Sequence, residues 1–295
     1  MSAAPRRAAP RWLRRLLPYL PLAFGGVVLL FPLWWMLSIS LETPGRAGAA
    51  VAGGGEFSWI PADPQWHNYP DALAELGSRR WDGFLDALAN SVVVTVLTVI
   101  GQVLSCSLVG YGFARIRFRG SRVLFVIMLA TMMLPPQVTM IPLFLLFRSL
   151  GWVDTILPLV VPAFFGNAFF IFLFRQFFAQ VPEALVEAAR LDGYGHFGIW
   201  RKIMLPMCKP VIAICAVFTF IFAWNDFLGP LIYLHGEEQA TLAVALNSFR
   251  NQYGGLEDVH SLMAVSIVTM VPCIALFFVA QKQFVEGLGK GAVKG

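Results

Sequence analysis

Six apolar runs dominate this chain, and they leave few architectures open. They are Leu17–Leu41, Asn90–Phe113, Val123–Ile141, Ile156–Phe174, Pro210–Tyr233 and Ser261–Ala280. Crossing ~30 Å of hydrocarbon takes about 20 helical residues at ~1.5 Å each, and each run comes near or above that length. Within a bilayer the backbone must satisfy its own hydrogen bonds, so such runs fold as helices. Composition agrees: 58% of the 295 residues are hydrophobic, 13% are charged, and the mean hydropathy is +0.69. The first run is too long for a signal peptide and lacks a small-residue cleavage site, so it is expected to remain as a helix. The expected fold is an all-α integral membrane protein with six transmembrane helices.

A net charge of +5 would fit a nucleic-acid binder, but the distribution excludes that reading. Seventeen of the 22 Lys and Arg lie in four places: before the first run, in Ala114–Arg122, in Arg175–Lys209 and in the C-terminal tail. The alternate segments, Glu42–Ala89, Leu143–Thr155 and Leu234–His260, hold only five. Basic residues concentrate on the cytoplasmic side of membrane proteins, which puts both termini and the Arg175–Lys209 insert in the cytoplasm. The Arg-rich start (Arg6, Arg7, Arg11, Arg14, Arg15) then serves orientation at the anionic inner leaflet. Glu42–Ala89 is the long external segment; Gly45–Gly55 reads as irregular, and Trp59, Trp66, Tyr69 and Trp81 as headgroup-level anchors.

Catalytic chemistry finds no foothold. The four Cys (Cys106, Cys208, Cys215, Cys273) lie in or beside the apolar runs without a CxxC pair, as small packing residues do. The four His have no metal-ligand spacing, and no metal site or catalytic residue is expected. A phosphate-binding loop is also missing: Gly289-Lys290 is followed by Gly291, and Phe284 stands where the first glycine belongs. No cofactor is therefore expected in this chain.

Two spans carry departures from plain apolar helix. Pro135, Pro136 and Pro142 each remove a backbone donor and are expected to bend or break the third helix. Leu143–Val153 beyond them is too short to span and reads as lying along the outer surface. The fifth run holds the only carboxylate within a span, Asp226, beside Trp224 and Asn225. On a continuous helix from Pro210 it would sit ~24 Å along, in the outer half. A charge there must face protein or water, so two roles stand open: contact along a solute path, or a hydrogen-bond anchor.

The insert before the fifth run has structure of its own. Pro182 suits a first helical position, Glu183 favours the positive end, and Gly193 suits a left-handed cap. A second short helix is expected over Phe197–Met204, stopped at Pro206. Ala188 and Ala189 permit close approach by another surface, and Glu187 offers a carboxylate to a basic partner residue.

Its residues also carry a resemblance. Glu187-Ala188-Ala189, three residues, Gly193, nine residues and Ile203-x-Leu205-Pro206 match the EAA signature of ABC-importer permeases at all seven specified positions. Gln137-Val138, Ile141-Pro142-Leu143, Phe174-Arg175-Gln176-Phe177 and Trp224-Asn225-Asp226-Phe227 are similar to patterns of the carbohydrate-importing, maltose-permease type. The resemblance implies a type I importer permease of a bacterial inner membrane. Its partners would be a homologous second permease forming a heterodimer, two ABC ATPases that bind ATP and Mg2+, and an extracytoplasmic solute-binding protein. It assigns ATPase coupling to Glu187, Ala188, Ala189, Asp192, Gly193, Ile203, Leu205 and Pro206. It also makes Phe249, Arg250, Asn251, Gln252 and Tyr253 a candidate contact for the binding protein, and it likens the Gln281–Gly295 tail to one that inserts between ATPases. The implied organisation is a basic arm at 1–16, a first helix at 17–41, an external loop at 42–85, a permease core at 86–281 with the coupling loop at 175–209, and a tail at 282–295. A stand-alone secondary transporter or channel for a small polar solute is the alternative. It would call for inverted repeats and several midplane ionisable residues, and neither is present in the sequence.

Overall fold

The structure, a computed structural model, describes residues 19–55, 59–77, 83–236, 239–253, 255–256 and 258–292. Among the described residues there are helices, turns and no strand. Four helical stretches are long and apolar enough to cross a membrane: Tyr19–Ser40 (α1), Phe84–Arg115 (α4), Leu157–Gln180, and Val259–Gln281 of the longer α15 (Val259–Ala292). They coincide with four of the six apolar runs. The stretch Leu157–Gln180 begins as α7 (Leu157–Val160), passes through a 3-10 turn (Val161–Phe165) and continues as α8 (Ala168–Gln180), which Asn167 caps by accepting from the amides of Phe169 and Phe170.

The other two runs are broken. The third divides into α5 (Ser121–Thr131) and α6 (Pro136–Ser149), which meet at 100°. Pro136 opens α6, where its missing N–H costs nothing, so the break falls before the proline pair. Pro142 does not break the helix; α6 runs through it to Ser149, so most of the expected surface segment Leu143–Val153 is helical. The fifth run divides into α12 (Lys209–Trp224) and α13 (Leu228–Tyr233).

Two compact units divide the chain: residues 73–248 with 269–295, and residues 1–72 with 249–268. In the larger unit α4 is the central element, packed along α8 and α12. Glycine permits the closest approach. A Cβ at Gly110 would come within 2.7 Å of the Phe174 Cβ and 3.1 Å of the Arg175 amide. Cys106, Cys208 and Cys215 are buried and free in the apolar core of this unit.

In the smaller unit the segment after α1 is more ordered than its composition suggested. Pro44–Ala52 forms α2, with Pro44 in the first turn and Gly53 closing it at φ +74°. The expected irregular stretch is therefore helical to Ala52: its alanines favour helix, and its glycines are tolerated there. Asn68, which opens α3 (Asn68–Gly77), is buried and donates through Nδ2 to the carbonyls of Ser40 and Glu42, both at 2.9 Å. Tyr69 is bonded to the Ser40 hydroxyl at 2.9 Å, so its ring tip serves this joint. Trp81 lies outside the described residues. Asn68→Ala leaves two buried carbonyls without a donor, at about 1–3 kcal/mol. Faster proteolysis after Ser40 than in wild type is expected, and unchanged cleavage would show the joint to be dispensable.

Candidate functional site

The Arg175–Lys209 insert folds as two helices. The first, α9 (Glu183–Leu191), follows Pro182, which stands at the N-cap one residue earlier than expected. It ends in a Schellman turn: Tyr194 N–H donates to Ala189 O at 3.0 Å, Gly193 N–H to Arg190 O at 3.0 Å, and Gly193 takes φ +85°. A left-handed residue is needed there, which glycine supplies without a Cβ clash. The second helix is longer than expected: α10 (His196–Ile199), a π turn (Trp200–Met204) and α11 (Leu205–Met207) form one piece. Pro206 does not stop it. The π turn pairs Leu205 N–H with Trp200 O, giving the wider spacing that lets a proline follow without breaking the rod. This piece meets α12 at 82° and so runs across the direction of the span.

The first helix has two distinct faces. Val186 and Ala189 are buried and join one core cluster with Tyr111 of α4, Phe174 and Phe178 of α8, and Met204. Glu187, Ala188 and Asp192 face outward, as does Leu191, which is 90% exposed. The seven motif positions thus divide. Glu187 and Ala188 form outer surface, whereas Ala189 is small so that α9 can lie close on its own bundle. Ile203 and Leu205 pack against the same core, Gly193 shapes the turn, and Pro206 is exposed.

Two residues of α4 hold the insert, and the sequence reading passed over both. Arg115 donates through Nη2 to the carbonyls of Phe178, at 2.6 Å, and Val181, closing the end of α8 where the insert begins. Tyr111 OH lies 3.2 Å from His196 Nδ1 and so ties α4 to α10. Arg115 entered the sequence argument only as one more positive charge. A lone basic residue at a span end gives no hint that it caps carbonyls 63 and 66 residues away.

The second candidate group comes apart in the structure. Trp224 is buried in an apolar cluster with Ala87, Leu242 and Ala245, stacks on Phe220, and donates its indole N–H to Thr269 O at 3.2 Å. Asn225 is exposed and bonds back to Ile221 O at 2.8 Å. Asp226 lies in the break between α12 and α13, not on a continuous helix, where Oδ1 accepts from Gly229 N–H at 3.1 Å. It alone of the three lines a cavity of about 350 Å³ shared with Thr98, Gln102, Asn167 and Thr219.

Phe249–Tyr253, the candidate contact for the binding protein, forms the end of a helix, α14 (Leu242–Tyr253). Phe249 is buried, whereas Arg250 and Asn251 are exposed. The Gln252 and Tyr253 side chains lie outside what the structure describes. The helical backbone of α15 continues through the tail to Ala292.

Outside the spans, Asp154 and His235 pair at 3.0 Å, and Asp154 Oδ1 also accepts the His235 amide at 2.8 Å. That amide holds the Asp154 carboxyl below its ordinary value of 3.8 against an opposing desolvation, and the imidazole adds to the lowering. A lowered carboxyl stabilises the fold above the ordinary value, and the contribution disappears as pH falls through the lowered one. Acid titration of Trp152 fluorescence is therefore expected to show a step below about 3.8 that Asp154→Asn removes. Identical titrations would exclude this linkage.

Residues 106–290 match the family described as binding-protein-dependent transport system inner membrane component. The arabinooligosaccharides transport system permease protein AraQ of Bacillus subtilis (strain 168) is 36% identical over 270 residues, 92% of this chain and 92% of that protein. The trehalose transport system permease protein SugB of Mycobacterium tuberculosis is 32% identical over 267 residues, 90% of this chain and 93% of that one. Among solved structures, a chain of a bacterial ABC transporter involved in the import of the acidic polysaccharide alginate is similar at TM-score 0.76 and 26% identity. That match covers 95% of this chain and all of the other.

Proposed function

The chain belongs to the binding-protein-dependent transport family of inner membrane components, and from that premise we propose how its parts divide the work. It is a multi-pass permease subunit of an ATP-driven importer whose relatives carry sugars and oligosaccharides. It performs no catalysis. The ATPase is a separate partner that binds ATP and Mg2+, a second permease completes the pathway as a heterodimer, and a solute-binding protein delivers cargo outside.

The observation that carries the reading is the two-sided α9. Its outer side, Glu187 and Ala188, is free to sit in a socket on an ATPase, with Glu187 meeting a basic residue there. Its inner side, Val186 and Ala189, shares one core with α4 and α8. Movement of the socket then becomes movement of the spans, because a close-packed core transmits displacement and does not absorb it. At the other end, Asp226 and its cavity contact solute, with sugar hydroxyls as the matching chemistry. Arg250 and Asn251 are the positions left for the binding protein.

Reconstitution with the three partner types tests the scheme, using arabino-oligosaccharides and trehalose as first solutes. Uptake that requires both ATP hydrolysis and the binding protein is expected. Uptake by this chain alone under an ion gradient would establish the stand-alone transporter instead. For Asp226, normal transport by an assembled Asp226→Ala variant would remove it from the solute path.

A further inference from the structure

A cavity of about 770 Å³ opens where α4 ends and α5 begins, and nothing in the transport scheme uses it. Four arginines line it: Arg115 at the end of α4, Arg117 in the connection, Arg122 in the first turn of α5 and Arg175 from α8. The one carboxylate on its wall is Glu183, so the site carries an excess of positive charge. Arg115 is occupied with the α8 carbonyls. Arg175 sits over the Phe125 ring, its Cζ 4.1 Å from the ring centre, a cation–π contact that holds the side chain at the cavity wall. Among the described residues neither Arg117, Arg122 nor Arg175 forms an ion pair.

Three cations held around one hollow repel each other, and an anion there relieves the repulsion. The surroundings narrow the choice of anion. From the same corner α5 leads away with Val123 (63% exposed), Leu124, Val126 (59% exposed) and Ile127 uncovered. This helix is half of a broken span, so hydrocarbon is the medium that suits these side chains. A soluble anion would satisfy the guanidinium groups only. An amphiphile with a phosphate head and an acyl tail satisfies both parts at once.

We propose that this cavity is a binding site for an anionic phospholipid, its phosphate held by Arg117, Arg122 and Arg175 and its tail lying along α5. Basic clusters at a span end attract anionic headgroups in this way, and the guanidinium fork suits phosphate oxygens. The lipid would brace the joint between α4, α5 and α8 close to where the docking insert leaves the bundle.

The test is native mass spectrometry of the assembled, delipidated transporter, titrated with phosphatidylglycerol, phosphatidylcholine or inorganic phosphate. Wild type is expected to retain phosphatidylglycerol in preference to phosphatidylcholine. The Arg117→Gln/Arg122→Gln/Arg175→Gln variant is expected to lose that preference by on the order of 100-fold, from ~1 kcal/mol per basic residue. If the triple variant does not assemble, Arg122→Gln alone, at an exposed position, is expected to lower retention by about fivefold. Equal retention in wild type and variant would overturn the proposal. So would displacement of the lipid by inorganic phosphate at equal concentration, which would mark a soluble-anion site. Protection of Arg117 and Arg122 from guanidine-directed labelling by a partner subunit in lipid-free complex would show a protein occupant and overturn it equally. None of these outcomes depends on whether Asp226 contacts solute.

Discussion

Glu187→Lys is expected to abolish solute uptake and to weaken retention of the ATPase subunits by about 30-fold or more. The outer side of α9 presents Glu187 beside Ala188, and a socket that receives this carboxylate must supply a complementary charge. Removing one partner of a desolvated charge pair costs about 2–5 kcal/mol, and a reversed charge adds repulsion. Even 2 kcal/mol corresponds to about 30-fold in affinity. Glu187 is exposed, so the permease itself should fold and reach the membrane normally. Co-purification separates the outcomes: intact permease pair, ATPase lost. Glu187→Gln should fall between, keeping a hydrogen-bond acceptor without the charge. Ala189→Leu provides the contrast, because that position faces inward; it should harm folding of the insert before it harms docking. If Glu187→Lys retains the ATPases at wild-type strength, α9 is not the docking element.

Four of the six runs were legible as spans because length and hydropathy are properties of a single segment. The proline pair likewise announced the break in the third run. The second break, between Trp224 and Leu228, was hidden because Asn225 and Asp226 look like polar residues on a helix. Each bonds backbone at a helix end, Asn225 to Ile221 O and Asp226 to Gly229 N–H, as short polar side chains do where a helix stops. The turn that closes α9 was legible down to Gly193, since a left-handed cap has a one-residue signature. The division of Ala188 from Ala189 was not. Adjacent alanines carry no mark of which one faces the core; that depends on where α4 and α8 lie. The Arg115 and Tyr111 contacts are likewise products of packing between segments distant in sequence.

Phe178→Ala is expected to leave ATP hydrolysis largely intact while transport falls by tenfold or more. Phe178 is fully buried at the end of α8, 5.8 Å from the Phe174 ring and 6.2 Å from that of Tyr111, edge-on to the latter. It fills the space between the spans and the insert, in the same cluster as Val186, Ala189, Ile199 and Met204. Truncation there costs about 3–5 kcal/mol through lost burial and a cavity. The loss is concentrated at the joint: α9 keeps its outer surface and its ATPase, but a hollow now lies behind it. A shift of α9 would then be taken up by collapse of the hollow before it reached α4 and α8. Phe178→Leu retains most of the volume and should recover most of the coupling. The diagnostic quantity is solute moved per ATP hydrolysed, measured on complexes matched for assembly. A fall in both rates at constant ratio would mean that Phe178 supports folding alone, and an unchanged ratio with full transport would place the mechanical path elsewhere. A lowered ratio in Phe178→Ala, restored in Phe178→Leu, identifies the packed joint as the element that carries the stroke.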